Sequence, residues 1–361
     1  MPVEQGEPSA PVPTGSPPRA VPSVRGAGTG REEKVAAAVL ATPSLLGPEA
    51  ARDRYGFYRT LRETYPLVRD DRLGAWLVSR YGDVTAALAD PELVRPRRGP
   101  CCWPGEVWCA GSGEEVDDEA FALLREVSER AAYVLARRLA PRETADLAGE
   151  FCHWLPVGTA ATALGLSCAE LTRGSRVKGR RAGPAAALAV LCADRSALIG
   201  KALASLLANL LDHPREWAAV ASAAPGALTA VWGESLRRNP PVHVVLRRAR
   251  RETRTAGGTV PAGDAVALLA GAASRDPDRF TDPDRFDPRR TAAAPLAFGP
   301  RECPAARVAA LLAECAVRAL GEAMPGLRWA EGFRPTETGL LTRAPRTLLV
   351  RPPGRPARRP A

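Results

Sequence analysis

Cys303 is a residue whose type and sequence setting suggest a chemical role. It lies in a turn-like run of Gly, Pro, Arg and Glu, within the stretch LAFGPRECPAARVAALLAEC that runs from Leu296 to Cys315. Pro304 follows at once, and the Ala-rich pattern after it predicts a helix. A thiol at a helix N-terminus is favoured in its thiolate form by the helix dipole and by nearby backbone N–H groups. Such a thiolate can be a nucleophile, a redox centre or an axial ligand to iron.

A nucleophilic cysteine needs a base within reach, and the chain offers three histidines, His153, His213 and His243. His213 precedes a proline and fits the end of a helix, whereas His153 lies on an apolar helix, where a structural role is typical. His243 could lie close to Cys303, although no spacing in the sequence indicates it. A Cys-His hydrolase therefore stays an alternative with little support.

The remaining cysteines favour neither a disulfide framework nor a metal site. Eight cysteines in 361 residues are too sparse for a disulfide scaffold. Cys101, Cys102 and Cys109 cluster in CCWPGEVWC, but their spacing does not match the usual zinc motifs. We interpret them as thiols of a loop.

Composition and charge narrow the class of protein. Hydrophobic residues make up 45% of the chain and aromatic residues 5%, with Ala and Leu dominant, which favours helix. No signal peptide and no apolar run of about 18 residues is present, so we expect a soluble, cytoplasmic protein. The net charge is +10, and almost all of the positively charged residues are arginines. The sequence contains no recognisable nucleic-acid-binding module. We therefore expect neither nucleic acid nor membrane as a partner, while an acidic protein partner stays possible in principle.

The order of segments predicts a mainly α fold with a small β portion. Residues 1–31 are rich in proline and predict a disordered leader, residues 32–350 a single domain, and residues 351–361 a disordered basic tail. The segment AGPAAALAVLCADRSALIGKALASLLANLLDHP predicts a long helix that crosses the core. The segment from Val242 to Ser274 predicts short strands joined by a Gly-Gly turn, and residues 95–115 predict an irregular loop.

Several segments, taken in order, resemble the cytochrome P450 family. FGPREC resembles that family's cysteine loop, although two residues of the turn are missing. Glu234-Ser-Leu-Arg237 matches its Glu-x-x-Arg motif, and NPPV follows. DPDRFTDPDRFDPRR resembles the next landmark, and AWLVSRYGDVTAALADPEL resembles the family's N-terminal strand and B helix.

This resemblance implies a cofactor and a set of residues that hold it. The cofactor would be haem b (iron protoporphyrin IX), with Cys303 as the axial ligand and metal-binding residue. Phe298 belongs to the same loop, and an ionic triad of Glu234, Arg237 and Arg285 would hold that loop in place. Buried propionates need fixed cations, for which arginine is well suited. The resemblance assigns this role to Arg247, Arg301 and Arg125.

Two departures from the family pattern bear on function. The long helix should carry an acid and a threonine that deliver protons to iron-bound dioxygen, but ADRSAL offers Asp194 and Ser196 instead. Only about 20 residues separate ALGLSCAEL from that helix, where the family has two helices that roof the pocket. This shortened F/G region predicts a pocket that is shallow, open, or completed by another protein.

Two functions are compatible with these features. The first is a haem-thiolate oxidoreductase of bacterial secondary metabolism, such as antibiotic biosynthesis, which acts as a monooxygenase or with peroxide. Ferredoxin and ferredoxin reductase would then supply electrons. The alternative is a haem-free auxiliary protein on the same scaffold, because some family relatives bind and activate a partner enzyme such as a glycosyltransferase.

Overall fold

Helices dominate the described part of the chain, as the Ala- and Leu-rich composition predicts. The computed structural model describes residues 42–94, 118–173, 184–222, 227–290, 296 and 304–352. Over these residues the helices are α1 (Pro48–Arg52), α2 (Arg54–Thr64), α3 (Tyr81–Ala89), α4 (Asp118–Leu139), α5 (Trp154–Ala163), α6 (Cys168–Thr172), α7 (Pro184–Asp212), α8 (Pro214–Ala221), α9 (Thr229–Arg238), α10 (Ala270–Ala273) and α11 (Pro304–Ala323). None of these described helices is both long and apolar enough to cross a membrane.

The strands are short. They are β1 (Leu67–Asp70), β2 (Ala75–Val78), β3 (Leu93–Val94), β4 (Ala145–Asp146), β5 (Val245–Ala249), β6 (Thr253–Thr255), β7 (Gly258–Val260), β8 (Ala265–Leu268), β9 (Arg328–Trp329), β10 (Glu337–Thr338), β11 (Ala344–Pro345) and β12 (Leu349–Arg351). The largest sheet has the order β1-β2-β8-β5-β3. Within it β2 and β8 run parallel, with Ala75 opposite Ala265, and β5 pairs antiparallel with β8.

Four helices, α4, α5, α7 and α11, share the larger apolar core. Their apolar faces meet in one cluster, to which they contribute Leu124, Leu155, Leu203 and Leu312 among others. The predicted long helix is confirmed: α7 has 29 residues, and its C-terminal half is buried on nearly every side. A second core lies under the large sheet and includes Val78, Val245 and Leu268.

The helix pair α5–α7 depends on a glycine. A Cβ added at Gly200 would lie 2.9 Å from the carbonyl oxygen of Cys152, at the end of the π-helical turn Ala148–Cys152 that precedes α5. Real Cβ atoms do not come this close to a rigid backbone oxygen, so the two segments can pack at this distance only because residue 200 has no side chain.

We therefore expect Gly200→Ala to lower the free energy of unfolding by about 1–3 kcal/mol, since the added methyl group must push the two segments apart. Urea unfolding followed by circular dichroism measures this. The matched control is Gly158→Ala on α5, where an added Cβ meets nothing within 4 Å. The control should stabilise the protein by up to about 1 kcal/mol, because alanine favours helix over glycine. Equal effects of the two substitutions would contradict the close approach.

Local structure departs from the predicted pattern in two places. The spacing of apolar residues from Pro48 to Tyr65 predicts one helix, but the structure has two, α1 and α2. The Asp53 side chain accepts a hydrogen bond from the N–H of Gly56 and so caps the N-terminus of α2. The stretch from Arg142 to Leu166 also reads as one helix. It contains β4, the π-helical turn and α5, because β4 pairs with β12 about 200 residues away.

The predicted turn between short strands is confirmed, with a shift of one residue: Ala256 and Gly257 join β6 to β7, and Gly258, the first residue of β7, adopts a φ of +141°. Between α5 and α7 the described residues hold one further helix, α6, of five residues. The described part of the chain therefore has a short connection where two helices would form a roof. The predicted leader, the loop at 95–115 and most of the basic tail lie outside the described residues, and those domain boundaries remain predictions.

Candidate functional site

Glu234 and Arg237 form a buried ion pair on α9. The i, i+3 spacing places both side chains on one face of the helix, and their exposed fractions are 2% and 1%. Arg237 donates from Nε to Glu234 Oε2 at 2.7 Å and from Nη2 to Oε1 at 2.8 Å. This bidentate geometry satisfies the carboxylate and leaves further guanidinium donors for other acceptors.

Those donors hold the segment that leads toward Cys303. Arg237 Nη1 donates to the carbonyl oxygens of Ser274 and Pro283 at 2.8 and 2.9 Å. The backbone N–H of Asp287 donates to Glu234 Oε1 at 2.9 Å. The ion pair therefore serves as a two-sided tether for the chain between residues 274 and 287, as the resemblance implies for a group that holds the loop.

The third member of the triad differs from the prediction. Arg285 contributes its carbonyl oxygen, which accepts from Arg237 Nη2 at 3.2 Å, whereas the guanidinium near Glu234 is that of Arg290, at 3.5 Å. The carbonyls of Pro283 and Arg285 both face Arg237, so it is the backbone of this segment that points at the ion pair. Among the described residues the ionic triad is therefore Glu234, Arg237 and Arg290.

The cysteine loop spans two anchored ends. α11 begins at Pro304, directly after Cys303, and Ala305 and Val308 in its first turns are buried. On the other side Leu296 is buried against the core under the large sheet. The loop residues Phe298, Arg301 and Cys303 themselves lie outside the described residues. The position of the helix start agrees with the expected setting of the thiol.

Arg247 is a buried cation in the large sheet. It lies on β5 opposite Val266, with 5% of its surface exposed, and its Nη1 donates to the carbonyl oxygen of Leu246 at 3.1 Å. A guanidinium in such a place suits an anionic group, because burial strengthens a charge-assisted hydrogen bond. The propionate role that the resemblance assigns to Arg247 stays a prediction.

Arg125 does not fit that role. Its guanidinium lies 3.3 Å from the carboxylate of Glu314 on α11, so a protein carboxylate already neutralises it. Phe121, one turn earlier on α4, is covered by the guanidinium of Arg307 at 3.8 Å. Since α4 packs along α11 in the larger core, this stretch of α4 is paired with another helix, and the partner of Arg125 among the described residues is Glu314.

Asp194 and Ser196 lie where α7 is uncovered. Asp194 and Ala197 are exposed, and Ser196 and Leu198 are partly exposed, although α7 is buried on nearly all sides in its second half. The uncovered strip agrees with the predicted open pocket. Bulk water reaches an exposed carboxylate directly. The exposed position of Asp194 therefore does not favour a role as a dedicated proton donor.

The histidines are accounted for by local contacts. His213 Nδ1 lies 2.7 Å from the carbonyl oxygen of Asn209, and exposed His153 stacks edge-on against Trp154. His243 is 1% exposed, and its Nδ1 lies 3.2 Å from the hydroxyl of Tyr58. A Cβ at Gly271 would come within 2.5 Å of the same nitrogen, so the ring is enclosed.

Burial, and then the positive charges of Arg343, Arg275 and Arg54, hold the pKa of His243 well below its usual 6.5. The folded protein therefore keeps this ring neutral at a pH where the unfolded chain binds a proton. Stability should fall as the pH drops below about 6.5, by up to about 1.4 kcal/mol per pH unit for one proton. We expect His243→Gln to reduce this dependence between pH 7.5 and 5.5 in urea unfolding. The same slope in His243→Gln and in the parent protein would contradict the assignment.

The three buried thiols among the described residues, Cys152, Cys192 and Cys315, are structural. Burial raises the pKa of Cys192 and of Cys315 to about 12, and that of Cys152 further. Cys192 Sγ lies 3.3 Å from the carbonyl oxygen of Pro156. Within the described ranges no group of three or more His, Cys, Asp or Glu residues could hold a metal ion.

Sequence reasoning missed a polar contact between α7 and the turn before β11. Lys201 Nζ donates to Thr342 Oγ1. The turn itself is held by the backbone N–H groups of His243 and Val244, which both donate to the carbonyl oxygen of Leu341, at 2.8 and 3.1 Å. The rarity of lysine in this chain was the signal that could have directed attention to residue 201.

Known proteins resemble this chain in sequence and in fold. A family model described as Cytochrome P450 matches residues 227–313, the part that holds Glu234, Arg237 and the start of α11. Protein DesVIII of Streptomyces venezuelae is 44% identical over 136 residues, which are 37% of this chain and 33% of DesVIII. The chain thus matches only about a third of the length of that relative.

Two longer matches extend the likeness over most of the chain. Cytochrome P450 107B1 of Saccharopolyspora erythraea is 28% identical over 369 residues, which cover 78% of this chain and 90% of that protein. The structure of cytochrome P450 CYP109Q5 from Chondromyces apiculatus shares the fold with a TM-score of 0.69, at 21% identity, over 86% of this chain and 97% of that one. Together with the family model, these matches show that the chain has the cytochrome P450 fold and resembles that family in sequence, most clearly over residues 227–313.

Proposed function

We propose that this protein is a haem-thiolate oxidoreductase of bacterial secondary metabolism, a monooxygenase or a peroxide-using variant. The observation that carries the proposal is the buried Glu234–Arg237 pair, whose hydrogen bonds tether residues 274–287 on the way to Cys303. A buried ion pair is a poor source of stability on its own account. The pair therefore supports the proposal that the segment before the cysteine must be held in one fixed position.

The residues that would hold haem b are divided between the sheet and the cysteine loop. Cys303 would be the axial ligand at the start of α11, with Arg301 and Phe298 beside it. Arg247 would pair with a propionate from β5, where its guanidinium is already buried. When bound, haem supplies the oxidising chemistry, and thiolate ligation favours cleavage of the O–O bond. Arg125 has no part in this assignment because Glu314 engages it.

The uncovered strip of α7 bears on substrate and partners. Helices between α5 and α7 would be needed to cover a substrate bound there. The described part of that connection holds only the five-residue helix α6. We therefore expect the substrate to be presented by a carrier or covered by a biosynthetic partner protein. Ferredoxin and ferredoxin reductase would supply electrons in the cytoplasm, and neither Asp194 nor Ser196 is positioned to keep a proton away from solvent.

A second candidate function is a haem-free auxiliary protein that binds and activates a partner enzyme such as a glycosyltransferase. The specific observation in its favour is the Arg125–Glu314 ion pair, which uses a candidate propionate cation internally. The exposed middle of α7 also suits a surface that a partner covers. On this hypothesis Cys303 is a leftover thiol, and the Glu234–Arg237 tether serves the fold alone.

A visible spectrum of protein expressed with ample haem precursor, reduced and exposed to carbon monoxide, tests the two candidates. A red-shifted thiolate-type Soret band in stoichiometric amount is the result expected for the haem protein. Folded protein without haem absorbance would overturn that proposal. Co-purification with a glycosyltransferase encoded in the same biosynthetic cluster, with increased transferase activity, would then support the auxiliary function.

A further inference from the structure

Lys201 is an unusual residue in this chain. The sequence has 50 basic residues, of which only Lys34, Lys178 and Lys201 are lysines. Lys201 is the one lysine in the described part of the chain, and it lies on α7, where Gly200 and Ala202 beside it are buried. Arginine serves the described ion pairs elsewhere in the molecule, so this position differs in using a compact ammonium group.

The Lys201 ammonium group has no carboxylate partner among the described residues. It has three N–H donors, and among the described residues its one acceptor is Thr342 Oγ1. The side chain is partly buried, and desolvation lowers its pKa below the usual value. A partly desolvated cation that is held by a neutral hydroxyl is stabilised when an anion approaches.

Thr342 is held rigidly, so the ammonium has a fixed position. Gly339 adopts a φ of +115°, and a Cβ there would lie 2.0 Å from the carbonyl oxygen of Thr342, which makes glycine necessary in this turn. Thr342 also forms an isolated β-bridge with Val242, and the N–H of Arg343 donates to the carbonyl oxygen of Pro241 at 3.0 Å. A cation on a pre-organised support loses little entropy when it binds a ligand.

The uncovered strip of α7 leads to this cation. Asp194, Ala197 and Leu198 lie on the strip, and Lys201 follows one turn after Ala197 on the same side of the helix. The distance along the axis from Asp194 to Lys201 is roughly 10 Å. Between Asp194 and Lys201, this face of α7 presents the apolar side chains of Ala197 and Leu198. It therefore suits the hydrocarbon part of a molecule whose charged end reaches Lys201.

We propose that Lys201, positioned by Thr342, binds the carboxylate of an amphiphilic ligand that lies along the uncovered strip of α7. The proposal rests on the proposed function only in naming this ligand as the substrate, since binding itself needs no turnover. A carboxylate could also come from a haem propionate, and the test below separates the two sources.

The small number of lysines allows a direct test. Reductive methylation with ¹³C-formaldehyde labels the three lysines and the N-terminal amine, and Lys201→Gln identifies the resonance of Lys201. We expect that resonance to titrate below the usual pKa of a lysine, because burial lowers the pKa of Lys201. Decanoate should raise its titration midpoint in haem-free protein, whereas 1-decanol, which has the same chain without the charge, should leave it unchanged.

Binding affinities test the same contact without chemical labels. Lys201→Met should weaken decanoate binding about tenfold or more, as expected for the loss of a charge-assisted hydrogen bond, and leave decanol binding unchanged. Thr342→Val keeps the shape of the turn and removes the acceptor, and it should weaken decanoate binding severalfold. Circular dichroism and urea unfolding establish that both variants are folded.

Three outcomes would overturn the inference. They are equal binding of decanoate and decanol, an unchanged preference in Lys201→Met, and a midpoint that moves with haem loading but not with decanoate. The last outcome would assign the anion to a propionate. The decanoate titration uses haem-free protein and is repeated on haem-loaded protein only to detect the last outcome, so a failure of the proposed oxidoreductase function leaves the decanoate test intact. The haem content is measured by absorbance.

Discussion

Arg237→Ala should destabilise the protein by about 3–5 kcal/mol, the usual effect of removing one partner from a buried ion pair. The substitution leaves the Glu234 carboxylate, which is 2% exposed, without its bidentate partner. It also removes the donors to the carbonyl oxygens of Ser274 and Pro283. Urea unfolding followed by circular dichroism measures the loss, or the yield of folded protein if the variant does not accumulate.

Two further variants separate the tether from the ion pair. Arg130→Ala removes an exposed i, i+4 pair with Glu126, whose side chains are 75% and 71% exposed, and should change stability by less than about 0.5 kcal/mol. The double variant Glu234→Leu with Arg237→Met removes both charges, which alone is often neutral. We expect it to remain destabilised, because the carbonyls of residues 274 and 283 lose their donor. A double variant as stable as the parent would show that the pair tethers nothing.

Cys303→Ala should abolish the thiolate-type carbon monoxide band of haem-loaded protein, because the proposal assigns the axial ligand to this sulfur alone. The matched variants are Cys192→Ala and Cys315→Ala. Both thiols are buried in the larger core with a pKa raised to about 12, so both should retain the full band per mole of folded protein. An unchanged spectrum in Cys303→Ala would rule out the ligand assignment, whereas loss in all three would indicate damage to the fold.

Local spacing predicted the parts of the site that lie within one element. Glu234 and Arg237 are three residues apart on a helix, so their contact follows from helical geometry. The 29 residues of α7 and the turn between β6 and β7 follow from apolar periodicity and from the conformational freedom of glycine. These features depend on neighbours along the chain, and the structure confirms them.

Contacts between distant segments could not be predicted in this way. The guanidinium nearest Glu234 belongs to Arg290 because the backbone at 283–285 faces Arg237. Arg125 faces Glu314 because α4 packs along α11. In an Arg-rich chain many arginines fit a motif equally well, and only the packing of the helices decides which carboxylate each one meets.

The sequence by itself predicted the resemblance to the cytochrome P450 family, the mainly helical class, the Glu234–Arg237 pair on α9 and a helix directly after Cys303. Each of these rests on short-range periodicity or on an ordered series of motifs. The tertiary structure alone decided that the middle of α7 is uncovered, that Gly200 allows α7 to approach the turn before α5, and that Lys201 meets Thr342. The physical reason is that burial and ion pairing are set by which surfaces pack together, and residues 141 positions apart in the chain share no local pattern.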